Sequence, residues 1–108
     1  MKVSINAVHF KTDKKLDSFI TEKVEKLTDL YDGIIGSEVT LRVNNSEDHE
    51  NKIAEIRLLV PGNDLFAKKQ SKSFEEATDI AVDALRKQLN KHKEKQRGEP
   101  ISLTDVLE

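Results

Sequence analysis

The chain has 108 residues, 35% of them charged and 36% apolar, with no cysteine and a net charge of −2. That length suits one domain with a core of its own, and the lack of cysteine excludes disulfides and thiolate chemistry. No stretch approaches the ~20 apolar residues of a membrane span, and the opening Met-Lys-Val-Ser-Ile-Asn lacks the apolar core and cleavage site of an export signal, so a reducing cytoplasm is the expected compartment.

Residues 2–9 alternate, with Val3, Ile5 and Ala7 on one side and Ser4, Asn6 and Val8 on the other, the period of a half-buried strand. His9 is expected to end that strand as a half-buried polar residue. Thr12 is the expected N-cap of a helix over about 13–31, whose Leu16, Phe19, Ile20, Val24, Leu27 and Tyr31 recur at three- and four-residue steps. Gly33 and Gly36 then interrupt the chain. A second strand is expected over about 37–45 with Val39, Leu41 and Val43 inward, and a polar hairpin loop follows. The third strand, about 52–60, places Ala54, Ile56, Leu58 and Val60 on one face. Pro61-Gly62-Asn63-Asp64 is turn chemistry, and a short strand over 65–69 follows, for which both Leu65/Ala67 and Phe66 compete for the core. Ser73-Phe74-Glu75-Glu76 fits a capping box opening a last helix. Its expected buried stripe is Phe74, Ala77, Ile80, Ala81, Ala84, Leu85 and Leu89, and Gly98 with Pro100 ends it. The order β-α-β-β-β-α is an α+β fold, a four-stranded sheet with two helices packed on one face. Residues 1–97 form the expected domain, and 98–108 a short, acidic, disordered tail.

Between Arg86 and Arg97, six cations and Glu94 make a window of +5, so the remainder of a chain at −2 sums to −7. Such segregation builds a local positive potential that attracts polyanions whatever the net charge. At ~100° per residue, Arg86, Lys93 and Arg97 lie on one flank of the last helix, and Lys87, Lys91 and Lys95 run down the other. A helix of roughly 36 Å outruns a small sheet, so its last two or three turns are expected to project as a cationic rod able to meet several phosphates. Complementing the helix dipole is the plainer account. That effect is worth ~0.3–1 kcal/mol per charge and fades within the last turn. It covers Lys95 and Arg97 but not Arg86, Lys87 and Lys91.

Other chemistry is poorly supported. Glu47-Asp48-His49-Glu50 could be read as metal ligands, but consecutive loop residues rarely converge on one ion. His92 stands in His-Lys-Glu-Lys rather than His-Glu-x-x-His. There is no phosphate-binding glycine loop, nucleophile elbow or Cys/His pair, so no catalysis, metal, cofactor or small-molecule substrate is expected.

The run Asp83-Ala-Leu-Arg-Lys-Gln-Leu-Asn-Lys-His-Lys-Glu-Lys95 resembles the close of the second helix in the short ribosome hibernation-promoting factors and ribosome-associated inhibitors. Ile5-Asn-Ala-Val-His9, the Phe19-Ile-x-x-Lys23-x-x-Lys-Leu27 pattern and Ser73-Phe-Glu-Glu-Ala77 match the same family in order, so the resemblance covers residues 1–97. It implies a fold similar to double-stranded-RNA-binding domains. It also implies a non-catalytic bacterial protein that occupies the decoding region of the small ribosomal subunit under stress and silences translation. Carried over by position, the implied rRNA contacts are Arg86, Lys87, Lys91, Lys93 and Lys95, with Arg97 at the motif's edge. Arg42, Arg57, Lys68 and Lys69 are the sheet-side candidates.

Two departures accompany the match. Glu47, Asp48 and Glu50 repel phosphate, so that tip is expected to face away from RNA or towards ribosomal protein. The longer members' C-terminal dimerisation domain is expected to be missing, so that either pairing of ribosomes needs a separate dimerising factor or only single ribosomes are silenced. Two alternatives stand beside the ribosomal one: a free-standing double-stranded-RNA binder, and a protein-interaction module that modulates a transcription factor.

Overall fold

A computed structural model describes residues 1–44 and 49–96. The elements are β1 (Lys2–Ala7), α1 (Lys14–Glu25) with a 3-10 turn after it (Lys26–Asp29), β2 (Gly36–Val43), β3 (Lys52–Leu59), β4 (Leu65–Ser71) and α2 (Phe74–Gln96). The strands lie in the order 1-2-3-4. β1 runs parallel to β2, which requires a crossover, and α1 provides it. The β2–β3 and β3–β4 pairs are antiparallel. Both helices cover one face, giving the α+β architecture and element order expected from the periodicities.

Alternation sets that face. Val39 and Leu41 of β2, Ala54, Ile56 and Leu58 of β3 and Ala67 of β4 are all 5% exposed or less, and they meet Ile20, Val24 and Leu27 from the first helical segment. Leu65 and Ala67 point inward, while Phe66 faces outward at 45% exposed, which settles the facing of β4. β4 also runs two residues past its expected end, to Ser71.

Several local expectations are corrected. Asp13, not Thr12, caps α1: its carboxylate accepts the Leu16 N–H at 2.8 Å, while the Thr12 hydroxyl donates to Asp17 at 2.6 Å. The regular helix stops at Glu25 and tightens into the 3-10 turn, although the apolar spacing continues to Tyr31. His9 lies beyond the end of β1, exposed, with φ at 66°. Val43, expected inward, is 44% exposed at the end of β2.

α2 begins as its capping sequence requires, with Ser73 Oγ accepting the Glu76 N–H at 3.1 Å. The helix is rotated relative to the expected stripe. Thr78 and Val82 are buried beside Ala77, Ala81, Leu85 and Leu89, whereas Ile80 is 42% exposed. Among the described residues the long overhang is also absent. Leu89 is fully buried, and His92 packs edge-on against Tyr31, with ring centroids 5.2 Å apart. Tyr31 can fold back there because Gly33 leaves room: a Cβ on Gly33 would come within 2.5 Å of the tyrosine ring. Only about the last turn of α2 extends past this anchor. Leu89→Ala should therefore cost about 2–5 kcal/mol through transfer and cavity terms, seen as a lower urea midpoint with an unchanged slope; an unshifted midpoint would mean that the far end of α2 is not anchored.

Candidate nucleic-acid interface

Two side-chain contacts fix how α2 presents its charges. Gln88 Nε2 donates to the Phe66 carbonyl at 2.9 Å, so that flank abuts β4. Asp79 pairs with Lys23 at 3.1 Å, so the other flank faces α1. At ~100° per residue, Lys87 and Lys91 fall toward the β4 side, and Arg86 and Lys93 toward the α1 side. Lys91 also lines a cleft of about 540 Å³ between α2 and the Pro61–Asn63 turn. The backbone of α2 carries the row on to Lys95, whose side chain lies outside the described residues, as does all of Arg97.

The cations have an internal counter-charge. Asp83 lies 3.5 Å from Arg86 and 3.6 Å from Lys87, at i+3 and i+4. The Lys87 side chain is 80% exposed and that of Arg86 51%, and such solvated pairs contribute about 0–1 kcal/mol. One carboxylate shared between two cations leaves the pair at +1, so Arg86, Lys87, Lys91 and Lys93 against Asp83 still sum to +3. The second half of the helix, from Asp83 onward, remains net positive, while its first turn is acidic.

The four sheet-side candidates divide between the two faces. Arg42, Arg57 and Lys68 alternate onto the open face, away from the helices. Lys69 has the opposite parity and projects on the helix side of the β4 edge, in register with Ala54. On the open face Arg42 is engaged with Glu55 at 3.0 Å, while the Arg57 guanidinium lies 5.9 Å from the centre of the Phe66 ring. Sequence patterning weighs Phe66 only as a core candidate and assigns Asp83 no pairing of its own. The i+3 and i+4 spacing of Asp83 to Arg86 and Lys87 was the available signal for its second role.

Glu47 and Asp48 lie outside the described residues, and His49 and Glu50 are exposed. Among the described residues there is no group of three or more His, Cys, Asp or Glu able to hold a metal ion. No helix among them is long and apolar enough to cross a membrane.

Comparison with known proteins places this geometry. The family model described as "Sigma 54 modulation protein / S30EA ribosomal protein" matches residues 3–97. A protein of Pseudomonas putida named ribosome hibernation promoting factor is 31% identical over 98 residues, 91% of this chain and 92% of the relative. A Klebsiella oxytoca protein of the same name is 28% identical over 95 residues, covering 88% and 96%. Among solved structures, a ribosomal subunit interface protein from Coxiella burnetii superposes with a TM-score of 0.77 at 19% identity, over 86% of this chain and 98% of that one. The N-terminal domain of Protein Y from Thermus thermophilus does so at 0.70 and 22% identity, over 84% and 94%. At such identities the two structures speak for the fold.

Proposed function

The chain belongs to the Sigma 54 modulation protein / S30EA ribosomal protein family, and on that premise we propose that it is a non-catalytic ribosome-binding factor that occupies the decoding region of the small subunit and silences translation. Residues 1–97 are the ribosome-binding unit, acting in the cytoplasm; the 98–108 tail lies outside the described residues. Arg86, Lys87, Lys91, Lys93, Lys95 and Arg97 supply the rRNA contacts from α2, with Arg42, Arg57, Lys68 and Lys69 as secondary positions. The observation that carries this reading is the pair of cationic flanks on α2, solvated and net positive in a chain that is net negative. Flanks of that kind on a packed helix meet several phosphates at once, and the fold beside them supplies the bulk that excludes mRNA and tRNA.

Relatives named for ribosome hibernation support this choice over a free duplex-RNA binder or a module acting on a transcription factor. Cryo-electron microscopy of the protein with purified small subunits should show α2 against rRNA in the decoding region. Density elsewhere would overturn the occlusion mechanism, and partner capture insensitive to ribonuclease would favour a protein target. Asp83→Asn supplies a finer check. Removing the shared counter-charge of Arg86 and Lys87 should tighten subunit binding about two- to fivefold at low salt, measured by sedimentation titration; weaker binding would show that Asp83 itself contributes to the interface.

A further inference from the structure

We propose that Phe66, with Arg57 beside it, forms a stacking platform for one unpaired rRNA base, and that Lys68 receives the adjoining phosphate. The inference rests on the ribosomal reading above and extends it from the helix to the open face of the sheet. A lone exposed phenylalanine is ordinary; the surroundings of Phe66 are not. It is 45% exposed on the helix-free face in a chain with five aromatic residues. Arg57 is its partner across the β3–β4 ladder and brings a guanidinium to 5.9 Å from the ring centre. Arginine adds a second planar, cationic surface on which a base can lie.

Charge on this face is sorted in favour of a nucleic acid at the β4 edge. Glu55, the register partner of Lys68 across the β3–β4 ladder, is paired with Arg42 at 3.0 Å rather than with Lys68. Neither Arg57 nor Lys68 forms an ion pair among the described residues. Lys68 follows Phe66 by two residues on the same strand, so both side chains project from one face. Glu38, in register with Arg57 on the far side, disfavours phosphate toward the sheet centre. Aromatic ring, planar cation and mobile cation together are the composition by which sheets hold single-stranded nucleic acid.

The platform adjoins the basic helix across the β4 edge. Gln88, lying between Lys87 and Lys91 in sequence, holds the Phe66 carbonyl at 2.9 Å and ties the β4 backbone to α2. A strand of rRNA gripped along the β4 flank of α2 reaches Phe66 by turning round this edge onto the open face.

Substitutions at 66 separate stacking from apolar area and from folding. Phe66→Leu keeps a large apolar side chain without a π-face and should weaken small-subunit binding roughly 5- to 150-fold; Phe66→Trp should retain binding. Arg57→Lys, which keeps the charge and loses the plane, should weaken it in the same sense. All three should unfold at the wild-type temperature, because the side chains lie outside the core. A photoreactive benzoylphenylalanine at position 66, irradiated in the complex with purified small subunits, should crosslink to rRNA. A crosslink confined to ribosomal protein, or Phe66→Leu binding like wild type, overturns the platform while leaving the ribosomal reading intact. Failure of the wild-type chain to bind subunits overturns both.

Discussion

Replacing Lys87, Lys91 and Lys95 together with Glu should abolish co-sedimentation with small ribosomal subunits at physiological salt. The three positions follow one another at i, i+4 and i+8, so they form a single row on the helix. Charge-assisted hydrogen bonds are worth ~1.5–3 kcal/mol each. Losing three of them weakens binding on the order of a thousandfold or more, before the added repulsion between glutamate and phosphate is counted. Folding should be spared. The Lys87 side chain is 80% exposed, its pairing with Asp83 is long at 3.6 Å, and the core contacts of α2 come from Ala77, Ala81, Leu85 and Leu89 on another sector. New like-charge neighbours cost ~0.2–0.5 kcal/mol per pair, a shift of a few degrees at most in a thermal melt. Sedimentation equal to wild type, with a cooperative melt, would refute the assignment of this row to the interface.

What the sequence could and could not disclose follows from how local each determinant is. The β-α-β-β-β-α order was legible because Val39/Leu41 and Ala54/Ile56/Leu58 alternate cleanly, while α1 and the capping box at Ser73 repeat at helical steps. Thr12 and Asp13 are adjacent capping candidates, and only geometry shows the Asp13 carboxylate on the Leu16 N–H with Thr12 diverted to Asp17. The rotation of α2 was ambiguous because Ile80 and Val82 flank the shared Ala77/Ala81/Leu85 seam on opposite sides. The seating of α2 on β3 and β4 chose Val82.

The overhang failed for a non-local reason. Apolar character fades along α2 after Leu89, but Tyr31, far away in sequence, packs edge-on against His92. Within the interface, the cation run was readable from composition and its two flanks from helical geometry. The division of Arg57 and Lys68 from Lys69 required the β3–β4 register. The role of Phe66 required knowing which side of β4 the helices occupy.

Salt provides the second large effect, and it measures how many of these cations are used. Each phosphate neutralised releases condensed counterions, so log K falls with log salt at roughly 0.7–0.9 per contact. With about five contacts from α2, raising salt from about 50 to 200 mM should weaken subunit binding a few hundredfold. Shape complementarity and apolar contacts lack this dependence, so the slope isolates the electrostatic share of binding. The neutral variant Lys87→Gln/Lys91→Gln/Lys95→Gln should then lower the slope by about 2–3, one step for each phosphate lost, while Phe66→Leu should shift affinity with the slope nearly unchanged, since an uncharged ring releases no ions. A wild-type slope near zero would mean that the cations of α2 do not touch rRNA. A slope that survives the neutral triple variant would assign the phosphate contacts to the sheet edge instead, with Arg57, Lys68 and Lys69 as the residues to neutralise next.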